Sequence, residues 1–215
     1  MRVGILGTGD AGRALGTGFV GRGHEVRMGS RDAANERALE WAANAGDLAS
    51  TGTFADAAAF AELAVLATAR SGTGNALQLA GPENLAGKVV IDATNPLAFG
   101  ETPGPPGLAL GHTDSGGEQV QRWLPGARVV KAFNIVGNAN MVDPDFPGGP
   151  PDMFFCGDDD DAKAIVAQIL ADFGWPAVDI GGIEGARLLE PLCILWVIYG
   201  FRTGTWDHAF KVLRK

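Results

Sequence analysis

The residues best placed to do chemistry stand near the start of the chain. Gly7-Thr8-Gly9-Asp10-Ala11-Gly12 is a G-x-G-x-x-G run. It follows the apolar segment Val3–Leu6 and opens a helical stretch reaching about Val20, which is the context in which such a run binds a dinucleotide. Each glycine has a separate physical task. Gly7 permits a tight turn, Gly9 lets the backbone approach a pyrophosphate, and Gly12 lets the helix pack against the strand. The uncapped N–H groups and the helix dipole then attract the anion. Thr8, Asp10 and Ala11 join the three glycines as expected cofactor contacts. The alternative is a plain glycine-rich turn between strand and helix.

The end of the second strand decides between NAD and NADP. An NAD site places a carboxylate there for the ribose hydroxyls. This chain has Met28-Gly29-Ser30-Arg31 instead. Ser30 can donate to a phosphate and Arg31 can pair with it, so the expected cofactor is NADP(H). The competing reading makes Arg31 a solvated residue and Ser30-Asp32 a helix cap. Later strand ends carry Thr68 and Ala69, Asn95, and Asn134. Ligands of open α/β sheets bind beyond the carboxyl ends of strands, so these four are expected to touch ribose or nicotinamide. Ordinary turn chemistry would also use Asn and Thr there.

The rest of the catalytic vocabulary is missing. Tyr199 is the single tyrosine, and Thr203 stands where a Tyr-x-x-x-Lys pair would need lysine. There is no H-E-x-x-H, no paired-cysteine metal motif and no G-x-S-x-G, so no metal is expected. The run Asp158–Asp161 reads as a helix cap. His112, in a Gly/Pro loop, and Lys131 could serve as proton donor or carbonyl polariser. Equally, His112 could be a plain loop residue and Lys131 an ion-paired strand residue. A cofactor site without an acid–base machine suits hydride transfer between two redox cofactors, which carry the chemistry while the protein orients them. Two alternatives stand beside it: reduction of a small carbonyl or imine, and a non-enzymatic NADP-binding sensor.

The elements that must hold these residues alternate. Val3–Leu6, Glu25–Met28, Leu63–Ala67, Val89–Ala93, Arg128–Phe133 and Met153–Cys156 read as strands. Helices are expected over Asp32–Ala45, Asn75–Ala80, Gly117–Leu124, Asp160–Phe173 and Ile183–Tyr199. The predicted fold is α/β, a doubly wound, mostly parallel Rossmann sheet with a helical C-terminal extension. The 215 residues are read as a single NADP-binding domain, with a core over about 1–157 and a helical part over about 158–215. Two long connections, 97–116 with Pro103, Pro105 and Pro106, and 143–152, read as functional or mobile loops.

Composition narrows the partners. The net charge is −8 with no basic stripe, which argues against nucleic acid. The longest apolar run, 192–199, is short of the roughly 20 residues that span a bilayer, so it reads as a buried helix or a subunit interface. The glycine loop follows the N-terminus too soon for a signal peptide. Cys156 and Cys193 lie far apart in sequence, consistent with a reduced, cytoplasmic protein.

Gly-Ile-Leu-Gly-Thr-Gly at 4–9, Gly-His-Glu-Val at 23–26 and Gly-Ser-Arg at 29–31 resemble the deazaflavin (coenzyme F420)-dependent NADP reductases. Val-Val-Lys-Ala-Phe-Asn at 129–134 and Phe-Cys-Gly-Asp-Asp at 155–159 are also similar to the cytosolic domain of six-transmembrane ferric reductases. The resemblance continues through Ala186-Arg187 and Glu190-Pro191-Leu192, and so covers nearly the whole chain. It implies NADPH bound at Thr8, Gly9, Ser30, Arg31, Asn95 and Asn134. It further implies a deazaflavin or flavin as the hydride partner, and a homodimer formed through the C-terminal helices.

Overall fold

The computed structural model describes residues 1–101, 104–213 and 215, and at Arg70 the backbone alone. Pro103 of the first long loop lies outside the described residues. In chain order the elements are β1 (Arg2–Leu6), α1 (Asp10–Gly21), β2 (Glu25–Ser30), α2 (Glu36–Ala45), β3 (Ala49–Thr53), α3 (Phe54–Phe60), β4 (Leu63–Leu66), α4 (Arg70–Ala80) and α5 (Pro82–Leu85). There follow β5 (Val89–Asp92), the hairpin strands β6 (Leu97–Ala98) and β7 (Gly107–Leu108), α6 (Gly116–Trp123) and β8 (Arg128–Lys131). The chain closes with β9 (Met153–Gly157), α7 (Asp160–Asp172), β10 (Ala177–Asp179) and α8 (Ala186–Thr203).

Eight strands form one sheet in the order β3-β2-β1-β4-β5-β8-β9-β10. All neighbours are parallel except β8 and β9. The fold is therefore the doubly wound, mostly parallel α/β sheet that the alternating pattern predicts. The chain builds outward from β1 to β3 and then crosses back to β4. That reversal opens a crevice above the carboxyl ends of β1 and β4, where ligands of such sheets sit.

Both sheet faces are covered, which is why the central strands are continuously apolar. Val3 and Ile5 of β1 pack in one cluster with Phe19, Val65, Val130 and Phe173, while Leu6 packs in a second with Leu66, Leu77 and Val90. Ala162, Val166 and Leu170 of α7 belong to the first cluster. The helical C-terminal part thus shares its core with the glycine-loop half. Among the described residues no helix is long and apolar enough to cross a membrane.

Several elements differ from expectation. β3 and α3 were not anticipated, because Ala-Ser-Thr-Gly-Thr makes a half-buried edge strand with no apolar alternation. A local signal for α3 does exist. Thr53 and Asp56 form a capping box, each side chain bonding the other's backbone N–H. α2 begins at Glu36 rather than Asp32, because Asn35 caps it by accepting from the Ala38 N–H. α8 runs through Pro191 to Thr203, four residues past the expected end. Beyond it the tail turns back: the Trp196 indole donates to the His208 carbonyl at 2.7 Å, and the Val212 N–H donates to Asp152 at 2.7 Å.

Candidate functional site

A cleft of about 820 Å³ lies over the carboxyl ends of β1, β2 and β4. Gly7, Thr8, Gly9, Ser30, Arg31, Thr68 and Ala69 all line it, so one cavity collects seven of the expected contacts.

The three glycines of the loop meet different surroundings. Gly7 has φ +132°, and a Cβ there would overlap the carbonyl oxygen of Ala67 in the neighbouring strand's loop. A Cβ on Gly12 would overlap the carbonyl of Gly7 itself. Gly9 is different. A Cβ there would meet nothing within 4 Å, so the space above it is open on the cleft side. Gly9 is also the N-cap of α1 and supplies no capping side chain. The first N–H groups of α1 lie beneath that space, which is the cradle a pyrophosphate would fill.

At the end of β2, Ser30 is buried, and its hydroxyl donates to the Asp32 carbonyl. That bond folds the turn back and leaves Arg31 exposed on the cleft rim. The Arg31 guanidinium makes no hydrogen bond or ion pair among the described residues. Asp32 and Asn35 share the rim, each with its carbonyl-type oxygen bound to a backbone N–H of the α2 turn.

The opposite wall is one the sequence reading only touched. Ala69 is the N-cap of α4 and has no capping side chain, and Ser71, Gly72 and Asn75 line the cleft beside it. Two uncapped helix N-termini therefore meet at one cavity. The signal available was the small-residue run Ser71-Gly72 at a helix start after a strand. Thr68 is braced by Thr73, with their hydroxyls 3.0 Å apart.

Asp10 and Ala11, with Gly12, do not line this cleft. The Asp10 carboxylate turns to Arg13 at 2.6 Å and Arg37 at 3.0 Å, on a neighbouring groove with Thr17 and Trp41. The Arg13 hydrogen bond is the main reason its carboxyl titrates below the ordinary range. The negative charge closest to the loop is thus neutralised within the protein.

Asn95 and Asn134 form a reciprocal pair past the ends of β5 and β8. The Asn95 amide donates to the Asn134 backbone carbonyl at 2.8 Å, and the Asn134 amide donates to Asn95 Oδ1 at 3.0 Å and to the Leu189 carbonyl at 3.1 Å. Asn134 is 3% exposed, and its own Oδ1 has no partner among the described residues.

Lys131 does not reach a substrate surface. It is 0% exposed, and its ammonium donates to Asp92 at 2.7 Å and the Thr94 carbonyl at 2.8 Å, with Glu190 at 3.2 Å. All three of its protons are committed, so it cannot polarise a substrate carbonyl. Despite burial, the two carboxylates hold its pKa above the ordinary lysine value. Lys131→Ala is expected to cost about 3–5 kcal/mol, because it strands two buried carboxylates. Urea denaturation measures this, and a loss below about 1 kcal/mol would contradict it.

His112 lines another cleft, between the β7 loop and the start of α8, with Arg187 and Pro191. Its backbone is left-handed at φ 59°. Cys156 and Cys193 are buried and unpaired, and burial pushes both thiols up to about 12, so neither is a nucleophile at neutral pH. Among the described residues no three His, Cys, Asp or Glu side chains are grouped to hold a metal.

A model of the coenzyme F420-dependent NADP oxidoreductase family matches residues 2–96. The F420-dependent NADP reductase of Methanothermobacter marburgensis is 34% identical over 92% of this chain and 91% of its own length. The chain belongs to the coenzyme F420-dependent NADP oxidoreductase family. It is an NADP-dependent oxidoreductase. A crystal structure of a candidate F420-dependent NADP reductase from Arthrobacter sp. FB24 shares the fold over 100% of both chains, with a TM-score of 0.93 and 39% identity. Metalloreductase STEAP3 of Rattus norvegicus is 30% identical over 89% of this chain, which spans 36% of that protein's length. An imine reductase of Streptomyces aurantiacus, at 20% identity and a TM-score of 0.65, shares the fold alone.

Proposed function

We propose that the chain binds NADP(H) in the glycine-loop cleft and exchanges a hydride with a deazaflavin of the coenzyme F420 type, a flavin being the second choice of partner. The observation that carries this is the open space above Gly9, flanked by two uncapped helix ends and by the unpaired Arg31. The N–H groups of the loop and of α1 would hold the pyrophosphate, Arg31 the 2′-phosphate with the Ser30 hydroxyl, spent on the Asp32 carbonyl, setting the turn that presents it, and Asn95 and Asn134 the far end. The nicotinamide supplies the hydride when bound. The chain's own residues orient it, and with Lys131 committed to ion pairs, no proton donor is asked of them.

The test is direct. Purified protein and NADPH are mixed in turn with deazaflavin, flavin and ferricyanide, and absorbance of the reduced nicotinamide is followed. Oxidation that is fastest with deazaflavin supports the reading. Turnover with flavin alone removes the deazaflavin, and no oxidation with any acceptor removes the activity.

The same reading includes a homodimer through α8. Leu188, Leu195, Ile198 and Tyr199 recur at helical spacing on one exposed face. Their apolar area is what a second copy would cover. A cytoplasmic location accords with the two free thiols.

A further inference from the structure

A second cleft, of about 670 Å³, opens where the loop after β7 meets the start of α8. It shares no lining residue with the glycine-loop cleft. Leu108, Leu110, Leu188 and Pro191 give it apolar walls, and its size is that of a site for one small molecule. Two contacts fix its place. The Ala109 N–H donates to the carbonyl of Pro96, the residue after Asn95, at 2.7 Å. On the other side Asn134 holds the carbonyl of Leu189, whose neighbour Leu188 lines the cleft. The cleft thus borders the carboxyl ends of β5 and β8, the half of the sheet left for the nicotinamide mononucleotide.

One guanidinium stands on its wall, that of Arg187. A free guanidinium there would take a phosphate as a bidentate partner. Arg187 is not free. Its Nε and Nη2 donate to the two carboxylate oxygens of Glu118, at 2.9 and 2.5 Å. Glu118 is itself fixed. It is the third residue of α6, and its N–H donates to the hydroxyl of the capping Ser115 at 3.1 Å. That hydroxyl donates back to the carboxylate at 2.7 Å. The Glu118 side chain is 12% exposed, so a phosphate that drew Arg187 away would leave a largely buried carboxylate without its cation, which is costly.

The wider field acts in the same direction. Glu118, Asp114 and Glu184 all stand near Arg187, and together with the Glu118 hydrogen bond, the largest cause, they hold its pKa above the ordinary value. Asp114 is also paired with Arg122 at 2.8 Å. Three carboxylates therefore face two guanidiniums, and a phosphate would enter against an excess of negative charge.

We propose that Glu118 determines acceptor specificity: by committing Arg187 it leaves this cleft with no cation to offer, so the cleft admits the ring and ribityl chain of a flavin or deazaflavin that carries no phosphate. The inference rests on the hydride-transfer reading above and names the class of acceptor within it.

Two matched pairs of acceptors test it, each with saturating NADPH. 8-Hydroxy-5-deazariboflavin and riboflavin end in a free ribityl chain, whereas coenzyme F420 and flavin mononucleotide carry a phosphate on that chain. Loss of the reduced nicotinamide band gives kcat/KM for each. In the unmodified protein the phosphate-free member of a pair should match or exceed the other. Glu118→Gln keeps the shape and an oxygen for Arg187 but removes the charge. It should shift the ratio toward the phosphorylated member by about five- to twentyfold at low salt, in KM rather than kcat, and high salt should erase most of the shift. Glu184→Gln, at an exposed position, should shift the ratio the same way by about two- to fivefold, and it carries the test if Glu118→Gln gives no cooperative melt.

A preference of more than about fivefold for the phosphorylated member in the unmodified protein overturns the proposal. So does a ratio that neither variant moves, or a Glu118→Gln protein that loses both members of a pair alike, which is what a merely structural role would give. If no acceptor of either pair oxidises NADPH, the underlying hydride-transfer reading falls instead.

Discussion

Arg31→Ala is expected to raise the Michaelis constant for NADPH by ten- to a hundredfold and to leave that for NADH within about twofold. The range follows from the worth of a charge-assisted bond to phosphate, about 1.5–3 kcal/mol, with each 1.4 kcal/mol a factor of ten. Two features of the rim put the effect near the upper end. The guanidinium has no partner among the described residues, so nothing competes with a phosphate for it. Ser30 is buried, and its bond to the Asp32 carbonyl sets the turn that presents Arg31. Asp32 stands on the same rim with its carboxylate bound to the Ala34 N–H at 2.9 Å. Removing Arg31 therefore leaves a local field that repels a dianion. The effect should shrink at high salt, because the rim is exposed to solvent. Steady-state kinetics with both nucleotides decide the matter. An equal rise for NADPH and NADH would show that Arg31 serves the fold or the shared phosphates rather than the 2′-phosphate.

Gly9→Val should separate binding from folding. The substitution adds a branched side chain where a Cβ meets nothing, so the protein has no clash to relieve. The backbone at Gly9 is extended, at φ −72° and ψ 176°, which valine adopts readily. Valine is a poorer N-cap than glycine, and the loss of stability should stay below about 1 kcal/mol. NADPH affinity should fall at least about a hundredfold, because the new methyl groups occupy the approach of the pyrophosphate to the loop. Gly12→Ala is the contrast. Its single methyl would overlap the Gly7 carbonyl, so it should cost about 1–3 kcal/mol or more even without ligand. Thermal unfolding and a fluorescence titration with NADPH measure both pairs. A Gly9→Val protein that binds normally would place the phosphates elsewhere.

How far the sequence reveals this site depends on distance along the chain. The glycine loop is legible because its constraints are local. A Cβ on Gly12 would meet the carbonyl of Gly7, five positions back, and the strand–turn–helix context is visible in a dozen letters. The pairing of Asn95 with Asn134 is legible only as two strand ends that point the same way. The fate of Lys131 is not legible, because its partners, Asp92 and Glu190, are 39 and 59 positions distant; the β5–β8 register brings Asp92 beside it and α8 supplies Glu190. Asp10 shows the same limit. Its place in the motif suggests a cofactor contact, yet Arg37 from the next helix turns it aside. β3 escaped detection because edge strands need little apolar character, whereas α3 could have been found from Thr53 and Asp56 alone. His112 sits on a different wall from the glycine loop because the β6–β7 hairpin carries it toward α8.

The returning tail bears on the order in which parts of the fold are finished during synthesis. The glycine loop and its neighbours lie in the first third of the chain and emerge early from the ribosome. The packing under the tail comes later. Gly137 packs beneath the ring of Trp196, and Trp206 packs on Gly200 and on Trp196 in turn. His208, stacked on the same indole, is tied to it by reciprocal hydrogen bonds. Asp152 waits for the N–H of Val212, 60 residues further along the chain. Domains fold as their residues are delivered, and these contacts are delivered well after the glycine loop. A nascent chain can thus own a finished glycine loop while β9 and α8 still lack the strap that the returning tail lays across them.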